Sequence, residues 1–276
     1  MAYKTILVHI DTSQRVSDTI KIAVDMAIGC DAHLIGIAAT GLSGLSYLAG
    51  ERAASLIDLL ASIETSANEA LLKFKKTARE SGVKSFEGRL LDEDAGTAIC
   101  LQARYSDLVI IDQIDPAVRS SFVRSDFPEY VILHSDRPVL TIPYAGQFEI
   151  AGKKIVVAWD AGKEAARAVH NALPILLKAE VVQIVIFNPS GEQKKHEQEP
   201  GSEIVRYLAR FNIKAEVSVQ VNTLDPGNSL LSYVADCSAD LLVMGAYAHS
   251  RYREIFLGGM TNTILKNMTI PVLFSH

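Results

Sequence analysis

The stretch Thr5-Ile6-Leu7-Val8-His9-Ile10-Asp11 returns in kind as Lys154-Ile155-Val156-Val157-Ala158-Trp159-Asp160. Each is a short apolar run rich in β-branched residues, which favour a pleated backbone, and each ends in an aspartate where a helical pattern opens. The two aspartates stand 149 residues apart. Further on, Ser106–Ile111 is echoed by Ala239–Met244, and Arg137–Ile142 by Ile270–Ser275, both at an offset of 133. Two copies of one domain follow, here bounded as 1–146 and 147–276 with Tyr144-Ala145-Gly146-Gln147 as the joint. The offset falls by 16 along the chain, so the first copy carries extra residues in its middle. The Gly/Ser-rich segment Thr40–Ala54 is the place for them.

Within each copy, apolar strand-like runs alternate with helical ones. The expected strands are 5–10, 33–38, 85–90, 108–111 and 139–142, then 155–159, 181–187, 215–221, 241–244 and 272–274. The expected helices are 16–27, a long one within 53–81, 95–104 and 128–134, then 164–177, 202–212, 227–237 and 260–267. Strands of continuous Val, Ile and Leu mark a parallel sheet covered on both faces. The fold class is therefore α/β: two doubly wound, Rossmann-like domains of five parallel strands in tandem. Ligands of such sheets lie beyond the carboxyl ends of the strands, where the strand order reverses. That rule directs attention to Asp11 and Asp160, and to whatever follows strand four.

Composition narrows the function classes. The 276 residues are 49% hydrophobic and 21% charged, which is the balance of a packed globular protein. A net charge of −5, with no Lys/Arg cluster, argues against nucleic acid. Cys30, Cys100 and Cys237 lie far apart with no C-x-x-C spacing, which reads as buried free thiols in a reducing cytoplasm. The start MAYKTILVHID is not a signal peptide. The uncharged Leu34–Gly50 is short and Gly/Ser-interrupted for a membrane span, and reads as a buried strand followed by a flexible apolar loop. A cytoplasmic protein without a membrane partner is expected.

After strand four of the second copy the sequence runs MGAYAHSRYREIFLGGMTNTIL, Met244 to Leu265. Glycines at both ends of the loop, Gly245 and Gly258-Gly259, let backbone approach a ligand and adopt positive φ. A helix starting at Met260-Thr261 offers unpaired N–H groups and a positive dipole end, which suits phosphate. His249, Ser250, Arg251 and Arg253 add donors to an anion. Against this stands a plainer reading, in which the loop only joins a strand to a helix.

Repeat architecture, strand-one aspartate and loop together resemble the universal stress protein family in its tandem form. The family's nucleotide-binding members carry Gly-x2-Gly-x9-Gly-(Ser/Thr) after strand four. Here the register gives Gly245, Ala248, Gly258 and Gly259 without a gap, so Ala248 replaces the second glycine and Gly259 the hydroxyl residue. A Cβ at 248 costs about 1 kcal/mol if the backbone there is left-handed. A missing hydroxyl at 259 costs roughly 0.5–1.5 kcal/mol. Thr261 offers a hydroxyl two residues on.

The resemblance implies that Asp160 lies beside the adenosine, that Ile186 or Phe187 lines the adenine pocket, and that backbone near Gly227 approaches the ligand. For Asp160 the plainer reading is a helix cap, and for Asp225 a turn residue ahead of proline. The resemblance further implies a pseudo-dimer of the two domains within one chain, able to dimerise again through Leu42–Leu48.

The aligned loop of the first copy, Asp112 to Pro128, contains no glycine. Asp112 stands at the Gly245 position, Asp126 falls where phosphates belong, and Pro128 removes an N–H donor. Nucleotide is not expected there, and Arg119 and Arg124 read as parts of a solvated loop. The acidic Leu91–Gly96 reads as a solvated helix start rather than a cation site.

No Walker A, G-x-G-x-x-G or G-x-S-x-G pattern is present. The leading expectation is a stress-response regulatory or sensor protein that binds an adenine nucleotide, ATP or a relative with or without Mg, in its second domain. Hydrolysis is slow at most. The alternatives are a weak ATPase or phosphotransferase using the same cradle, and a ligand-free module that docks a protein partner.

Overall fold

The computed structural model describes residues 2–13, 15–45, 53–117, 124–148, 152–188, 199–221, 225–247 and 259–276, without the side chains of 44–45, 53–57 and 59. The chain divides into two compact units, Ala2–Val139 and Leu140–His276. The division falls inside the fifth strand, ahead of Tyr144–Gln147.

The first repeat contains β1 (Thr5–His9), α1 (Val16–Cys30), β2 (His33–Ala39), α2 (Leu42–Leu45), α3 (Ala53–Glu80), β3 (Phe86–Leu91), α4 (Ala95–Ala103), β4 (Leu108–Asp112), α5 (Phe127–His134) and β5 (Val139–Ile142). The second contains β6 (Lys154–Ala158), α6 (Lys163–Leu176), β7 (Val181–Phe187), α7 (Ser202–Ala209), β8 (Ala215–Gln220), α8 (Pro226–Asp236), β9 (Leu241–Gly245), α9 (Met260–Asn267) and β10 (Val272–Ser275). Strands run in the order β3-β2-β1-β4-β5 in the first repeat and β8-β7-β6-β9-β10 in the second. The same order twice is the structural form of the sequence repeat. In the second repeat β6 pairs in parallel with both β7 and β9, so the order reverses at β6. In the first it reverses at β1, between β2 and β4.

Burial explains the uninterrupted apolar strands. Ile6–Val8, Leu108–Ile111 and Leu241–Val243 are each fully or almost fully enclosed, which requires cover on both faces. The helices supply it with one stripe each. On α6 that stripe is Ala165, Ala168, Val169, Ala172, Leu173 and Leu176, at the three- and four-residue spacing of one helix face. The repeated Ser/Ala-Asp pair also has a shared task. Asp107 accepts from the Lys4 and Thr5 amides at 2.7 and 2.9 Å, and Asp240 accepts from those of Lys153 and Lys154 at 2.9 and 3.2 Å. Each aspartate ties the entrance of strand four to that of strand one.

The extra residues of the first repeat lie between β2 and β3. There the long α3 lays Phe74, fully buried, over β2 so closely that a Cβ at Gly36 would fall 2.6 Å from its ring. The segment expected as loop after Ala39 contains the short helix α2, whose entry is tied by the Ser43 amide to the Asp92 carbonyl at 2.9 Å. No described helix is long and apolar enough to cross a membrane. None of the three cysteines is in a disulfide, and only Cys30 is buried; Cys100 and Cys237 are half-buried. Burial pushes the Cys100 thiol up to about 12, which keeps it protonated and unreactive.

Candidate functional site

The carboxyl edge of the second sheet is assembled from five short pieces. After β6, Asp160 is exposed and its Oδ1 accepts from the Gly162 amide at 2.8 Å. Ala161 between them is left-handed, with φ 61. This two-residue turn delivers the chain to α6, whose N-cap is Gly162 rather than Asp160. The expected cap is thus a turn just ahead of the cap, and Oδ2 takes no part in the turn.

Gly245, at the end of β9, lies against that same helix start. A Cβ there would fall 2.6 Å from the Ala165 amide nitrogen and 2.7 Å from the Glu164 carbonyl carbon. Its glycine character serves the close approach of strand to helix, and its φ is not in the left-handed region. Two residues on, Tyr247 is left-handed, with φ 56. Its amide donates to Thr261 Oγ1 at 3.2 Å, so the hydroxyl expected to serve a phosphate already accepts a bond that ties β9's exit to α9. It retains its own proton to donate.

Gly259 is the N-cap of α9, with φ −77, and provides no side-chain acceptor. A Cβ there would meet nothing within 4 Å among the described residues. Positive φ, expected at the glycines, therefore occurs at Tyr247 and at neither Gly245 nor Gly259. Met260 is half-buried and Thr261 buried in the first turn of α9. Ala248, His249, Arg251 and Gly258 fall outside the described residues.

The adenine side is more mixed. Ile186 is buried to 1%, and its Cδ1 would stand 3.0 Å from a Cβ on Gly201, so it faces the start of α7. Phe187 is half-buried and meets the Tyr233 ring of α8 edge-on, with centroids 6.5 Å apart. Gly227 is buried in the first turn of α8, where a Cβ would strike Thr263 at 2.6 Å. The glycine lets α8 and α9 close on each other. Asp225 caps α8 by accepting from the Asn228 amide at 2.9 Å, the turn role read for it.

The structure thus links Asp160, Gly245, Thr261 and Gly259 through α6, β9 and α9, and joins Gly227 to them through Thr263. Phe187 reaches the group by way of Tyr233, whereas Ile186 belongs to the core. Tyr247 and Tyr233 are absent from the sequence-based selection. Nothing local in a sequence announces a tyrosine at positive φ. Tyr233 does occupy the inward, helical spacing of α8 and was legible as a candidate on that ground.

At the matching place in the first repeat, Asp112 Oδ1 accepts from Thr19 Oγ1 on α1, while Oδ2 is buried with no hydrogen-bond partner among the described residues. Burial pushes this carboxyl up to about 8, and the Asp11 charge nearby adds to the effect. Asp126 is forked by Arg124 at 2.9 and 2.8 Å and held below the usual carboxylate range by that bond. Arg124 is thereby committed to a neighbour, and Arg119 lies outside the described residues. Asp94 caps α4 through the Thr97 amide at 3.1 Å, as expected for a helix start. A shallow depression open to solvent lies between Asp94, Gly96, Arg124 and Tyr130 of this repeat. Among the described residues no group of three metal-binding side chains occurs.

Fold order and site placement define the class: a tandem α/β protein with one altered and one glycine-marked strand-four exit. Residues 152–276 match the model of the Universal stress protein family. Universal stress protein Slr1230 of Synechocystis is 25% identical over 208 residues, covering 72% of this chain and 68% of that protein. The crystal structure of a universal stress protein from Archaeoglobus fulgidus DSM 4304 matches over 98% of this chain and 95% of its own, at 15% identity and a TM-score of 0.73. A functionally unknown protein of Pseudomonas aeruginosa PAO1 matches over 99% and 92%, at 18% identity and a TM-score of 0.63. The second repeat is thus similar to the universal stress protein family, and the first repeat has the same strand order.

Proposed function

We propose that the second repeat binds an adenine nucleotide and that the chain acts as a regulatory or sensor protein in a stress response, located in the cytoplasm. The observation that carries this reading is the pairing of α9's glycine-capped N-terminus with a strand-four exit tied to its first turn. The first-turn N–H groups, the positive dipole end and the open space at Gly259 suit a phosphate. In this reading Asp160 Oδ2 accepts from a ribose hydroxyl, and the Phe187 ring covers a purine. Phosphate donors from His249 and Arg251, and the backbone of Ala248 and Gly258, complete the proposed set. Mg, where needed, comes with the nucleotide. No catalytic step is assigned.

One observation favours a second reading, a ligand-free module for a protein partner: α6 accounts for Gly245 without any ligand. Calorimetric titration of the full chain with ATP, ADP and AMP decides between them. Saturable binding by at least one of the three supports the nucleotide reading. No heat of binding at millimolar concentration leaves only the module.

A further inference from the structure

The peptide between Ala246 and Tyr247 is held at both of its polar ends. Its N–H donates to Thr261 Oγ1 at 3.2 Å, and its C=O lies 3.0 Å from Nδ1 of His276. A carbonyl only accepts, so this nitrogen carries the proton. The preceding amide is fixed too, since Ala246 N–H donates to the Ser275 carbonyl at 2.8 Å. His276 is itself restrained. The Arg167 guanidinium donates to its main-chain oxygen, and the Tyr247 ring stands edge-on to the imidazole with centroids 6.3 Å apart. Asn171 Nδ2 anchors the neighbouring Ser275 Oγ at 3.1 Å.

These contacts surround a strained residue. A tyrosine at φ 56 costs about 1 kcal/mol or more, and such a conformation persists only where its surroundings over-determine it. With the carbonyl unpaired, the 246–247 plane is able to rotate, Tyr247 relaxes to negative φ, and its amide leaves Thr261.

The first repeat provides an internal comparison. At the repeat offsets Thr261 becomes Pro128, His276 becomes Pro143, Arg167 becomes Asp18, and Tyr247 becomes Ile114. Neither proline has a polar side chain, and Ile114 is not at positive φ. The repeat without the loop glycines lacks these side chains and the left-handed residue.

We infer that His276, Arg167 and Thr261 form a clasp that fixes the strand-four exit, Ala246–Tyr247, against the first turn of α9 at the phosphate end of the proposed ligand site, with His276 as a positioning residue. The inference rests on the nucleotide reading for its ligand, but the clasp is testable without one. The test compares the full chain with His276→Ala and His276→Asn, whose amide can replace the Nδ1 donor. Losing one such hydrogen bond should weaken ATP by up to about tenfold in the Ala variant. Adenosine, which lacks phosphate, should be unaffected, and the Asn variant should recover most of the ATP affinity. Exchange of the Tyr247 amide should accelerate in the Ala variant and slow again in the Asn variant. Unchanged ATP affinity and exchange on His276→Ala overturn the clasp, as does an equal loss of ATP and adenosine. Should the unaltered chain bind no nucleotide, the functional reading fails by itself. The exchange rates then decide the clasp: faster in Ala and restored in Asn supports it, and no difference overturns it.

Discussion

Asp112 ends β4 with a buried carboxyl whose one oxygen accepts from Thr19 and whose other has no hydrogen-bond partner among the described residues. Burial, with Asp11 beside it, raises its pKa to about 8, so the folded chain holds this proton more tightly than the unfolded chain does. Against an ordinary aspartate near ~3.9, its stabilising contribution is complete in acid and is lost as pH rises through that value toward about 8. Asp112→Asn keeps an acceptor for Thr19 and carries no charge at any pH. The variant should be more stable than the parent at pH 8, by on the order of a few kcal/mol, and nearly equal to it at pH 4. Urea unfolding at the two pH values measures the difference, and an equal offset at both contradicts the assignment. The sequence shows that a carboxylate replaces the glycine of the other repeat. Its burial is not legible there, because only the fold brings Thr19, a polar residue on the apolar face of α1, against the end of β4.

At the scale of elements, the carboxyl ends of β6 and β9 and the start of α9 make the candidate site. Their existence was legible from β-branched runs and helical spacing, which report burial directly. Boundaries shifted by up to three residues, and α2 was hidden because a single turn presents no period to read. The glycines were harder. A missing Cβ gives the same letter whether it admits a helix, as at 245 and 227, or opens space, as at 259. Substitution separates these cases. Gly245→Ala would drive a methyl into the backbone of α6 and should cost about 1–3 kcal/mol in urea unfolding. Gly259→Ser restores the hydroxyl found in the family pattern, at an ordinary φ and in open space, so stability should change by only a few tenths of a kcal/mol. Its ATP affinity should rise by up to about tenfold, as one added hydrogen bond allows. Equal destabilisation by the two substitutions would show that α9's N-terminus is not open.

Over the whole chain, one domain occurs twice with the same strand order and the same Asp107/Asp240 tie, yet the two strand-four exits differ in every part that bears on phosphate. The repeat itself was fully legible, because both copies must bury the same strands. The division between the units was less so, since the chain passes through Val139–Ile142 without any change in composition to mark it. The central claim is that the chain is one-sided: one nucleotide, in the second repeat. Amide hydrogen exchange of the full chain with and without millimolar ATP tests it most directly. The account predicts slowed exchange at residues 245–247 and 259–263, with residues 112–114 and 126–130 unchanged. Protection in the first repeat's loop, or no protection anywhere, would contradict it.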